Sequence, residues 1–220
     1  SLHALNNLAL HYKDTGDYEL AEEYLLRSLE VAPALAAYVN LGSIYSELDR
    51  PEKAVEYLEK ARGLDPDNPR LLKSLGFAYY QKGDYRPAAT TMERSMSAAG
   101  EWDAPAARLL CHSRVMAGMY REALDQCRAY LDHTPDDAAT LLMYAGAVYK
   151  TGRFEDAAAL YRKYIRIFPG NDAPAYVNLG LCHYFMGEHE EAVEMWKKAL
   201  ELNPGDEKVR YFMETVREGM

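Results

Sequence analysis

The hexapeptide AYVNLG stands at Ala37–Gly42 and again, letter for letter, at Ala175–Gly180. Six identical residues, 138 positions apart in a chain of 220, mark a copied unit. Sliding the chain against itself finds it. Alanine recurs at Ala21, Ala54, Ala88, Ala123, Ala157 and Ala192, at intervals of 33 to 35 residues. Twelve residues before each lies another small residue (Ala9, Gly42, Gly76, Cys111, Ala145, Gly180), preceded by Leu in every copy except the fifth, which has Tyr144. A turn residue (Gly16, Asp49, Gly83, Gly118, Gly152, Gly187) precedes each repeated Ala, and Pro33, Pro66, Gly100, Pro135, Pro169 and Pro204 close the units.

The spacing between these marks is helical. Leu5, Leu8 and Tyr12 form one apolar stripe, and Tyr18, Ala21, Leu25 and Leu29 form the next. The glycine between the stripes ends the first helix, and Gly-Asp-Tyr is expected to cap the second. The terminal Pro stops it, because the ring cannot continue a helix. Each unit therefore reads as a helical hairpin. Paired small residues such as Gly42 and Ala54 let its two backbones approach. One hairpin cannot bury its own apolar face, so neighbours must stack.

This pattern of small-Leu-Gly, Tyr, Gly-x-Tyr, Ala and Pro resembles the tetratricopeptide-repeat family. The resemblance implies an all-α fold, a right-handed α-solenoid of antiparallel hairpins. Six repeats would fill 1–204 (about 2–34, 35–67, 68–102, 103–137, 138–171 and 172–204), with a capping helix over 205–220. Departures cluster in repeats four and five. Arg114 replaces a first-helix aromatic, Cys127 a large apolar residue, and Tyr130 and Tyr164 stand where Ala or Ser is usual. The Ala98–Pro105 stretch lacks a closing Pro, so the stacking is expected to change there. In the last segment Val209, Phe212, Met213 and Val216 share a face, while Glu214 and Arg217 face water. A start at Ser1, without Met, suggests a fragment of a longer protein.

A net charge of −9 argues against general nucleic-acid binding. No apolar run approaches a membrane span. The odd count of three cysteines argues against a disulfide framework and favours a reducing, cytoplasmic compartment.

Candidate chemistry fails on spacing. Cys111-His112 and Cys182-His183 lie two repeats apart without further close ligands, so no zinc pattern forms. In HEEAVE, His189–Glu194, Val193 stands where a metalloprotease motif needs its second His. No phosphate loop occurs. The chain reads as a non-enzyme, with no catalytic residue, metal or cofactor.

In the resembled family the first helices line a concave groove that receives a peptide or helix. Carried onto this sequence, the groove would present Asn7, Asn40, Arg70, Lys73, Phe77, Tyr80, Arg108, His112, Met116, Met143, Tyr149, Asn178, Leu181, Tyr184 and Phe185. Asn7, Asn40 and Asn178 resemble the asparagine ladder of O-linked N-acetylglucosamine transferases, since an amide can both donate to and accept from a peptide backbone. Ser74, Leu109 and Met143 interrupt that ladder. The carboxylate clamp of chaperone-binding repeats is incomplete, because Asn6, Leu10 and Ser74 replace three of its residues. The middle of the groove is basic at Arg70, Lys73 and Arg108, and its end is apolar and aromatic. The expected function is a scaffold binding a peptide segment of a protein partner, one with apolar anchors and an acidic group. Alternatives are a substrate-recruiting repeat domain of a larger, glycosyltransferase-like enzyme, or a self-assembling structural repeat protein.

Overall fold

The computed structural model describes residues 2–169 and 172–219, with side chains from residue 3 to 216. Expectations that fall on Ser1 and on the Arg217 side chain lie outside these. The regular structure among the described residues is all helix, without strands. They form thirteen helices, which fit about six hairpins and a final helix.

The chain forms two compact units, divided between Ala117 and Gly118. This division falls inside the stretch expected to be the fourth repeat. The first unit holds α1 (Leu2–Thr15), α2 (Tyr18–Val31), α3 (Leu35–Glu47), α4 (Pro51–Leu64), α5 (Pro69–Lys82), α6 (Tyr85–Ala99) and α7 (Ala104–Met116). Each helix packs on the next, and the odd-numbered ones also touch one another along α1, α3, α5 and α7. Leu25, Leu41, Ile44, Tyr45, Leu58, Leu71 and Leu75 form its fully buried centre. The second unit holds α8 (Tyr120–His133), α9 (Ala138–Lys150), α10 (Phe154–Ile167), α11 (Ala173–Phe185), α12 (His189–Leu202) and α13 (Glu207–Gly219). It is also built of sequential neighbours, with α9 touching α11. Val209, Met213 and Val216 of α13 are buried with Trp196 of α12, as the apolar face of the last segment requires.

All six turn residues adopt positive φ. Five are glycines, and Asp49 takes φ 54°, a conformation Asp tolerates better than most side chains. The expected caps fall elsewhere than the sequence suggests. Asp17 and Asp84 precede α2 and α6 without a side-chain cap bond. Side-chain caps instead start later first helices: Asn68 accepts from Arg70 and Leu71, Asp103 from Ala106, Asp137 from Thr140 and Asp172 from Ala175. Gly100, at φ 68°, closes α6 in place of the missing Pro.

Where the small residue of a first helix is glycine, it makes room for a large side chain of the second helix rather than for its backbone. A Cβ on Gly42 would lie 2.4 Å from Leu58, on Gly76 2.7 Å from Met92, and on Gly180 2.4 Å from Trp196. The unusual residues of repeats four and five are likewise explained by partners. Arg114, in its aromatic slot, pairs with Glu93 at 2.7 Å. Tyr130 donates to Asp137 at 2.9 Å and Tyr164 to Asp172 at 2.5 Å, each tying a second helix to the cap of the next first helix.

Candidate functional site

Helices α5, α6 and α7 enclose an open cavity of about 600 Å³, within the range of sites that bind small ligands or side chains. Lys73, Ser74, Phe77 and Tyr80 line it from α5, and Arg108, Leu109 and His112 from α7. These residues recur at helical spacing, so each helix turns one face inward. Five candidate groove residues thus converge: Lys73, Phe77, Tyr80, Arg108 and His112. Phe77 is 45% exposed, which leaves its ring available to a partner, whereas His112 is 8% exposed and lies in the wall. Met92 of α6, Pro105 and Ala106 complete the lining and were missed from the sequence. Met92 is legible only as the partner of Gly76.

The electrostatics differ from the sequence expectation. Lys73 Nζ sits 2.6 Å from Asp103 Oδ2, and Lys13 Nζ 3.1 Å from Glu47 Oε1. Lys73, counted toward a basic groove, is therefore engaged internally, as is Lys13 of α1. Burial alone would raise the Asp103 carboxyl, but hydrogen bonds from Lys73 and the Ala106 N–H hold it below the ordinary carboxylate range. Arg70 is exposed at the start of α5 and does not line the cavity.

In the second unit, aromatic rings follow one another from Tyr149 and Phe154 through Phe185 and Tyr184 to Trp196 and Phe212, with successive centroids 5.0–6.1 Å apart. Leu181, Tyr184 and Phe185 line a smaller, apolar cavity of about 190 Å³ with Trp196, Tyr211, Phe212 and Thr215. Tyr211 and Phe212 come from α13, which the sequence reading treated only as a cap. Tyr149 packs edge-on against Phe154 and Phe185. Met116 is exposed and Met143 half-buried, both outside these two cavities. Asn7 is exposed, Asn40 and Asn178 half-buried, and among the described residues none of the three amides has a hydrogen-bond partner.

The sequence's candidate chemistry takes structural roles here. His183 is buried, with Nε2 3.0 Å from the Arg162 guanidinium and Nδ1 2.5 Å from Glu188. Arginine only donates, so Nδ1 carries the proton toward the carboxylate. Burial pushes the Cys182 thiol up to about 12, which suppresses the thiolate a nucleophile needs. Cys111 and Cys127 are both fully buried. Among the described residues no group of three His, Cys, Asp or Glu could hold a metal, and no helix is long and apolar enough to cross a membrane.

Family models described as tetratricopeptide repeat match residues 1–67 and 33–101, 112–172, and 173–206. The chain belongs to the tetratricopeptide-repeat family. It is 34% identical over 71 residues to "Protein CTR9 homolog" of Arabidopsis thaliana, covering 32% of this chain and 6% of that one. It is 23% identical over 195 residues to human "Protein O-mannosyl-transferase TMTC1", covering 84% of this chain and 21% of that one. It spans between 6% and 25% of the length of the curated relatives it matches. Its fold is shared with the crystal structure of YrrB, a TPR protein with an unusual peptide-binding site, at a TM-score of 0.74 and 20% identity. That match covers 88% of this tetratricopeptide-repeat chain and 99% of YrrB. The chain is accordingly a protein-interaction scaffold of a generally non-catalytic type.

Proposed function

We propose that this repeat protein binds a peptide segment of a protein partner, without catalysis, in the cavity between α5, α6 and α7. The observation that carries this is convergence: exposed Phe77, half-buried Tyr80 and Leu109, and cationic Arg108 face one space large enough for peptide side chains. Aromatic and Arg side chains in one concave pocket are the residue types that dominate binding energy. The occupant has an apolar anchor against Phe77, Leu109 and Met92, and an acidic group near Arg108. In the second unit the small aromatic cavity at Tyr184, Phe185 and Tyr211 takes an apolar side chain.

The test is selection from a random peptide library on the purified chain, followed by titration of the winners. Phe77→Ala removes an exposed ring and leaves the fold intact. It is expected to weaken binding by about tenfold or more, the loss typical of a hot-spot aromatic. Arg108→Ala is expected to weaken the acidic winners most. Winners that bind both variants as well as the parent would sink the proposal.

A second reading rests on one relative. The match to the human O-mannosyl-transferase extends over 84% of the chain, which favours a substrate-recruiting repeat domain of a larger, glycosyltransferase-like enzyme. Assaying the full-length gene product for glycosyl transfer separates the two readings.

A further inference from the structure

The cavity carries an ion pair at its edge. Lys73 of α5 reaches Asp103, the N-cap residue of α7, at 2.6 Å, while the other Asp103 oxygen accepts the Ala106 N–H at 3.1 Å. Lys73 and Ala106 both line the cavity. The carboxylate is thus fixed from two sides, and these partners keep it ionised into the acid range. We propose that Asp103 is a specificity-determining residue: it occupies the Lys73 ammonium from within the chain and so limits how strongly the cavity favours acidic peptides. This role rests on the cavity being a peptide site.

The physical reason is competition. An acidic ligand group can use Lys73 only by displacing a carboxylate that is already in place and held by a second hydrogen bond. Apolar contact with Phe77, Tyr80 and Leu109 then sets the affinity. The pair is partly exposed, with side-chain exposures of 42% and 28%, so its exchange with a ligand carboxylate is feasible and modest in energy.

Asp103→Asn isolates the charge. Asparagine keeps the helix cap, as Asn68 does at the start of α5, where its Oδ1 accepts from both Arg70 and Leu71 at 3.1 Å. Library-selected peptides are made in two forms, one with their acidic residues and one with those residues replaced by the amides. The expected result is a gain of about two- to fivefold for the acidic form over the amide form in Asp103→Asn. That gain shrinks as salt is raised. It disappears when Lys73→Gln is added, while Lys73→Gln alone leaves the Asp103 carboxylate uncompensated and lowers the preference for the acidic form below that of the parent. An equal change for both peptide forms, or a gain that survives Lys73→Gln, overturns the role of Asp103 and leaves the peptide site standing. A library that yields no binder to either protein removes the site and this role together.

Discussion

Gly180→Ala should destabilise the second unit by a calculable amount, because Trp196 has nowhere to go. The added Cβ would lie 2.4 Å from Trp196 Nε1, 2.5 Å from Cδ1 and 3.0 Å from Cε2. Ordinary contact begins at 3.4 Å, so the indole must retreat by about 1 Å. It is 1% exposed, donates to the Val177 carbonyl at 3.2 Å and packs on Phe212 and Tyr184 at 5.5 and 6.1 Å. A rigid ring held on three sides turns the methyl into overpacking, at a cost of about 1–3 kcal/mol. Better helix propensity returns up to about 1 kcal/mol. The net loss, up to about 2 kcal/mol, lowers Tm by up to roughly 15 °C for a unit of this size. Circular dichroism melts give the shift, and Trp196 fluorescence reports whether the ring has moved. Adding Trp196→Leu, which supplies the residue type that faces Gly42, should relieve the strain imposed by the new methyl. Gly76→Ala is the contrast: its Cβ meets the flexible end of Met92, so stability should change by under about 1 kcal/mol. If Gly180→Ala raises Tm, or if Trp196→Leu costs the same in the parent and in the Gly180→Ala variant, the fitted-slot explanation is refuted.

The polar contacts make stability depend on pH in two opposite directions. The hydrogen bond to Asp172, with burial second, pushes the Tyr164 phenol up to about 12. Its contribution is therefore complete below the ordinary tyrosine value of about 10 and is lost between there and pH 12. Denaturant melts should show Tyr164→Phe costing about 1 kcal/mol at about pH 8, with the gap closing toward about pH 12. At Glu47, burial works against ionisation, but bonds from Tyr18, Lys13 and Ser43 outweigh it and lower the carboxyl. Its contribution is present above the ordinary glutamate value and disappears as pH falls through the lowered one. Parent and Glu47→Gln should differ in stability near neutral pH and converge in acid, as melts across that range would record.

The repeat was legible because its marks are obligatory. Positive φ at the turns, a small residue opposite Leu58, Met92 or Trp196, and a stop after the second helix each admit few residue types, so they recur in the letters. The site was legible only where it sits on one helix face, as with Phe77 and Tyr80 or Arg108 and His112. Contacts between helices were hidden. Nothing in the spacing revealed that Lys73 meets Asp103 thirty residues later, so the groove looked more basic than it is. Tyr211 was hidden for a similar reason: a helix that ends a stack was assumed to offer only its buried face. Arg114 looked like a defect until Glu93 supplied its partner.

The most direct test of the peptide site is hydrogen exchange on the chain with and without a library-selected peptide. Added protection should be concentrated in α5 and the first turns of α7, around Phe77 and Arg108, and Phe77→Ala should abolish it. Protection that leaves α5 and α7 unchanged and appears only on other helices would contradict the account.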